Sequence, residues 1–329
     1  MISRRSLAAA WLATFGAALL ATCIPVIAAD NYPNRSIRLI VPYAAGGGTD
    51  VIARVIAPAV GEKLGQSFVV ENNGAAGGNV ATQQAASAAP DGYTVLMANQ
   101  GPMVVNAHLF KSLRVDPLTV LDPVTLITSA PLVLVVPQDS RFTSFKHLVR
   151  YGTGNPGKLT YGSAGIGSAS HMATILLARL AKLNFVHVPY RGAGPALTDL
   201  MGGRTDFMVT TLPSVMGLIE TKRLRPLALT TKKRSKKLLD VPTIAESGFA
   251  DYHSSAWYGF VVPKGTPPEI VEKLRDATVH AIHSNTVKAR FENDGAEPIG
   301  NSPADFAAMM DAESKRWAEV IAESTILLE

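Results

Sequence analysis

The chain has 329 residues, 47% of them hydrophobic and 17% charged, with a formal net charge of +5. This is enough apolar material for about two cores and excludes a disordered chain. The mild basic excess excludes a nucleic-acid binder driven by charge, and Cys23, the single cysteine, excludes an internal disulfide and a thiolate zinc site.

Residues 1–29 read as an export signal. Arg4 and Arg5 precede an apolar run over 7–20, and small residues end it at Ala28-Ala29. The uncharged stretch is long enough to span a bilayer, but its flanks favour cleavage. Cleavage leaves 29 basic and 26 acidic residues, a net charge of +3. The twin arginine in Ser3-Arg4-Arg5-Ser6-Leu7 leaves both export routes open. Thr22 before Cys23 makes a poor lipoprotein cleavage site. A thiol-free monomer in the periplasm is the expectation.

A strand over 37–41 leads through Pro42-Tyr-Ala-Ala-Gly-Gly-Gly-Thr49 into a helix, whose apolar residues Val51, Ile52, Val55, Ile56, Val60 and Leu64 recur at helical spacing. A strand over 68–70, the turn Gly74-Ala-Ala-Gly-Gly78, a helix to about residue 88 and a strand over 93–98 follow. This alternation predicts a mainly parallel sheet. The apolar stretch 132–136 reads as a strand covered on both faces. It opens a second set: helix 143–151, strand 159–161, helix 172–180, strand 185–188, helix 193–201, and strands 207–209 and 224–229. Strand 257–262 returns to the first set. Two amphipathic helices close the chain, one carrying Ile270, Val271, Leu274 and Ile282. The other starts at Ser302-Pro303 and turns Phe306, Met310, Trp317 and Ile321 to the core. The expected fold is α/β, with two doubly wound lobes around a ligand cleft. Lobe 1 takes 30–129 and 251–329, and lobe 2 takes 130–250.

Two Gly-rich turns, one over 42–50 and one over 162–171, each join a strand to a helix N-terminus. Unpaired N–H groups and the positive end of the helix dipole attract anions there, and glycine lets the backbone approach a ligand closely. An anion gripped between two lobes follows. Thr49, Ser168 and Ser170 can serve ligand or cap. Asp50 is expected to cap the first helix, because its charge would repel an anion. His171 is balanced between ligand contact and a structural role, with catalysis below both.

Catalytic signatures fail one by one. Gly46-Gly47-Gly48 lacks the third spaced glycine of a dinucleotide loop. Gly165-Ile-Gly167 has no acid about 20 residues on to hold a ribose. There is no Gly-Lys-Ser/Thr and no Gly-x-Ser-x-Gly. The histidines show no paired metal-ligand spacing on one predicted face. The expectation is a binder with no cofactor and no metal, not an enzyme. The run Lys232-Lys-Arg-Ser-Lys-Lys237 is expected to be a solvated loop.

A series of blocks carries a family resemblance: Ile40-Val-Pro-Tyr-Ala-Ala-Gly-Gly-Gly-Thr-Asp50, Val70-Glu-Asn72, Gly77-Gly-Asn79, Pro90-Asp-Gly-Tyr-Thr94, Pro156-Gly-Lys-Leu159, His187-Val-Pro-Tyr-Arg-Gly192, Asp240-Val-Pro-Thr243 and Ala256-Trp-Tyr-Gly259. In this order and spacing they resemble the periplasmic substrate-binding proteins of tripartite tricarboxylate transporters, the Bug family, over residues 32–323. The resemblance implies two α/β lobes that close on a small carboxylate like a Venus flytrap, with a membrane permease as partner. It places Tyr43, Ala45, Gly46, Gly47 and Thr49 of the first loop at the ligand. From the second loop it adds Gly165, Gly167, Ser168, Ser170 and His171, and in the cleft Gln100 and Thr211. Main-chain amides are implied as the principal grip. The chain departs from the family's usual residues at Ala44-Ala45, Gly48, Asn73-Gly74 and Leu239. A solute sensor and an enzyme of small carboxylates are the alternatives; neighbouring permease or kinase genes, and turnover of bound ligand, would tell them apart.

Overall fold

In the computed structural model, the described residues are 32–322 apart from 112, 114 and 115. The export-signal reading, Cys23 included, lies outside them. Strand β1 (Ile37–Val41) is buried except at the half-buried Arg38 and pairs in parallel with β2 (Phe68–Asn72) and β3 (Thr94–Asn99), Leu39 lying opposite both Val70 and Val95. Parallel neighbours need crossovers. Helices α1 (Gly48–Leu64) and α2 (Asn79–Ala86) supply them. Helix α1 stops at Gly65, which takes the left-handed conformation (φ 71°) open to glycine and donates its N–H back to Glu62.

Strand β4 (Leu121–Pro137) is much longer than the stretch 132–136 expected from hydrophobicity. Pro123 and Pro131 argue against a strand interior. The structure accommodates Pro123 at a register shift and puts Pro131 at the last pair with β9 (Ser255–Pro263). Residues 121–131 of β4 run antiparallel to β9. Beyond them, Leu132–Val135 faces β7 (Phe207–Thr211), and Val133–Pro137 faces β8 (Leu224–Leu229). One strand therefore belongs to both lobes. β5 (Leu159–Ser163), β6 (Phe185–Pro189) and β7 are parallel. The sheet order is β2-β1-β3-β9-β4-β7-β5-β6, with β8 and the short β10 (Glu297–Pro298) also on β4. β9 runs antiparallel between β3 and β4, so the first lobe is mixed rather than purely parallel.

Helices α3 (Phe145–Gly154), α4 (Ala169–Ala181), α5 (Ala193–Met201) and α6 (Leu212–Glu220) clothe the second lobe. Sequence periodicity missed α6; its readable signal is Pro213 in the first turn. It also missed α8 (Asn285–Asn293), which Ser284 caps by accepting from the Val287 N–H. Helices α7 (Pro268–Ile282) and α9 (Pro303–Ala322) pack on the first lobe. Phe306, Met310, Trp317 and Ile321 all turn inward from α9, into a core shared with Trp257 and Leu96.

The chain crosses between lobes at 131–132 and 254–255, and one buried side chain ties the crossings together. Thr230 Oγ1 accepts from the Leu132 N–H (3.0 Å) and donates to the Ser254 carbonyl (2.7 Å), while the Ser254 N–H donates to the Thr230 carbonyl (3.1 Å).

Candidate functional site

The ends of β1, β3, β7 and β9 and the starts of four helices meet at a buried cavity of about 40 Å³. One water needs ~10–15 Å³, so there is room for a small multi-atom solute. Gly47, Gly48 and Thr49 bring the N-terminus of α1 to the wall, and Ser168, Ala169 and Ser170 bring that of α4. Ala193 brings α5, and Thr210 and Thr211 bring α6. Tyr43, Asn99, Gln100, Ala164, Ala256, Trp257 and Tyr258 complete it. None of these described lining residues is Asp, Glu, Lys, Arg or His.

The cavity is positive without a cation. First-turn N–H groups have no acceptor within their own helix, and each helix start carries about half a positive charge. α1, α5 and α6 have no side-chain cap. The expected cap of α1, Asp50, is turned elsewhere. Its carboxylate accepts from the Gly46 N–H (3.0 Å), from Arg54 (2.9 Å) and from Asn72 (3.0 Å). Burial opposes its ionisation, but the hydrogen bonds from Arg54, Gly46 and Asn72 outweigh burial and hold its pKa below the ordinary value. Ser168 does cap α4, accepting from the His171 N–H (3.3 Å).

Of the residues named from sequence, Tyr43, Gly47, Thr49, Gln100, Ser168, Ser170 and Thr211 line the cavity. Ala45, Gly46, Gly165, Gly167 and His171 do not. Ala45 and Gly46 are exposed on the rim. The N–H groups expected to grip a carboxylate at Gly46, Gly165 and Gly167 are already spent on Asp50, Ser163 Oγ (3.1 Å) and His171 Nδ1 (3.1 Å). These three loop N–H groups are therefore occupied within the protein. Gly48, Asn99, Ala164, Ala169, Ala193, Thr210, Ala256, Trp257 and Tyr258 were not singled out from sequence as site residues. Asn99 and Gly48 adjoin residues that were, whereas Trp257 and Tyr258 arrive through long-range pairing of β9.

The glycines of the loops serve the meeting of the lobes. The Ala44 N–H donates across the cleft to the Arg191 carbonyl (2.9 Å). A Cβ on Gly47 would sit 3.3 Å from that of Ala193, and one on Gly48 would overlap the Thr211 hydroxyl. Gly167 has φ +77°, and a Cβ there would overlap the Asn106 carboxamide.

His171 belongs to a stack behind the second loop. Its ring lies 4.1 Å from that of His187, which lies 4.7 Å from Tyr161. His187 Nε2 is 2.6 Å from Ser163 Oγ. Burial pushes His171 down to about 3, with His187 adding to the effect, and burial pushes His187 down to about 4. The unfolded chain therefore binds more protons as pH falls below ~6.5. Stability is complete above that value and declines towards pH ~4, by up to ~1.4 kcal/mol per pH unit for each ring. Denaturant titrations between pH 7 and 4.5 should show this slope, and His187→Gln should flatten it; an unchanged slope in that variant would assign the loss to other groups.

The chain matches the family model for the tripartite tricarboxylate transporter family receptor over residues 52–326. It is 32% identical to the periplasmic binding protein BugD, covering 91% of this chain and 100% of that one with a TM-score of 0.87. It is 36% identical to Rpa4515 of R. palustris, solved with adipate (TM-score 0.86; 88% and 97% covered). It is 32% identical to MatC of Rhodopseudomonas palustris, solved with bound malate (TM-score 0.84; 88% and 100% covered). The match runs from Ile52 within α1 through α9 and takes in the starts of α4, α5 and α6 at the cavity; this chain belongs to the tripartite tricarboxylate transporter receptor family.

Proposed function

We propose that the protein captures a small carboxylate between its lobes in the periplasm and hands it to a membrane permease of the tripartite tricarboxylate type. The observation that carries this is the convergence of four helix N-termini on one cavity without a charged side chain, an arrangement suited to an anion. Relatives solved with adipate and malate support a carboxylate as that anion. The thin crossings at 131–132 and 254–255 suit hinge closure in the manner of a flytrap, and the family's role supports a binder over an enzyme.

A thermal-shift screen over small carboxylates tests the reading. A ligand at about 100 times its Kd should stabilise the protein by ~2.7 kcal/mol. Scattering should show compaction on binding, and the ligand should be recovered unchanged. Recovery of a converted product would favour an enzyme, and silence across the screen would remove the carboxylate. Lys232→Ala and Lys236→Ala, on an exposed loop away from the cavity lining, should leave affinity unchanged in calorimetry; a loss there would move the site.

A further inference from the structure

Nearly every polar side chain in the cavity wall is already engaged. Asn99 Nδ2 donates to Thr49 Oγ1 (3.4 Å). The Gln100 carboxamide, oriented by its surroundings, accepts from Trp317 Nε1 (3.0 Å) and donates to the Ser255 carbonyl (3.3 Å). Ser168 and Ser170 bond each other (3.0 Å), and Thr210 and Thr211 both reach Ser214 (3.0 and 3.1 Å). The Tyr258 hydroxyl bonds Thr211. Two groups are left over: the Tyr43 hydroxyl and the Trp257 indole N–H are fully buried and have no hydrogen-bond partner among the described residues. Tyr43 is 5% exposed and Trp257 4%.

An unpaired buried polar group is costly. The indole nitrogen can only donate, and the phenol can donate. Both belong to lobe 1 and line the same cavity as the four helix starts. Both of these buried groups can therefore offer a proton, and the described lining side chains include no carboxylate to neutralise a cation.

Resting on the proposed capture of a carboxylate, we infer that Trp257 and Tyr43 read a second hydrogen-bond acceptor on the ligand, and that the site selects carboxylates bearing such an acceptor and rejects those bearing an ammonium group. The helix starts hold the first carboxylate. The indole N–H and the phenol then take a second carboxylate, a hydroxyl or a carbonyl oxygen. An ammonium group would meet hydroxyl oxygens but no carboxylate, and it would face the positive helix ends, so its charge would go uncompensated.

Four ligands on one four-carbon chain test this by calorimetry with the full mature protein: succinate, 4-hydroxybutyrate, butyrate and 4-aminobutyrate. Succinate and 4-hydroxybutyrate should each bind at least ~10-fold more tightly than butyrate, and 4-aminobutyrate no more tightly than butyrate. Trp257→Phe and Tyr43→Phe keep the rings and remove the donors. Each should narrow the succinate-to-butyrate ratio by roughly 5-fold or more while leaving butyrate itself within about 2-fold, as expected for one lost hydrogen bond to a charged acceptor. Equal binding of butyrate and succinate, preference for 4-aminobutyrate, or an undiminished ratio in both variants would overturn the inference and leave carboxylate capture standing. Binding of none of the four, together with a silent carboxylate screen, would overturn both.

Discussion

Gly48→Val is expected to weaken binding of the carboxylate found by thermal shift by at least ~100-fold, about 2.7 kcal/mol. A Cβ at this position would occupy the place of the Thr211 hydroxyl and stand 2.6 Å from the Tyr258 hydroxyl. Gly48 and Tyr258 come from lobe 1 and Thr211 from lobe 2, so the added carbons hold the lobes apart where they should meet over the ligand. The fold of each lobe should survive, because Gly48 begins α1 and tolerates a side chain within the helix itself. Gly167→Val should act similarly from the other side, with an added ~1–3 kcal/mol of backbone strain at its positive φ. Calorimetry gives the affinity and scattering the closure. Normal binding by Gly48→Val would mean that the ligand sits elsewhere.

Phe306→Ala is expected to cost ~3–5 kcal/mol of stability, the range for emptying a buried aromatic site. Phe306 is fully buried on α9 and meets Trp257 edge to face, with ring centroids 5.6 Å apart. Gly259 on β9 leaves room for its ring; a Cβ there would collide with it. The truncation therefore removes a prop from behind the cavity as well as a piece of core. Urea denaturation at constant m-value measures the loss. A change under ~1 kcal/mol would show that α9 contributes little to the first lobe.

The loops that begin α1 and α4 were legible because their signal is local: a strand, glycines, a small polar residue and an apolar helix in one continuous stretch. Thr49, Ser168 and Ser170 could be named from that grammar, and the family resemblance added Tyr43, Gly47, Gln100 and Thr211. Which N–H groups are free was not legible. That depends on Asp50 folding back to Gly46 and on His171 accepting from Gly167. A sequence reading gives Asp50 the helix cap by proximity and has no means to see Arg54 and Asn72 competing for it. The first half of β4 was hidden by Pro123 and Pro131, whose cost is absorbed by slipped register and by the junction between lobes. Trp257 read only as part of the returning strand over 257–262, and it is core on the side that meets Phe306. Its second role depends on which strand lies next to β3, and hydrophobic pattern does not specify that.

The place of β9 in the sheet also sets an order of events as the chain is made. β3 and β4 are its two neighbours, and both are synthesised long before it. In the interval the emerging chain supplies the whole of the second lobe, β5 to β8, whose strands need only the far half of β4. That lobe can consolidate while β3 still shows an open apolar edge through Leu96, Met97 and Ala98. Unpaired edges of this kind invite wrong partners. The half-made molecule is thus most vulnerable to aggregation after residue 137 and before residue 255, and a chaperone that shields the β3 edge during that interval would protect it best.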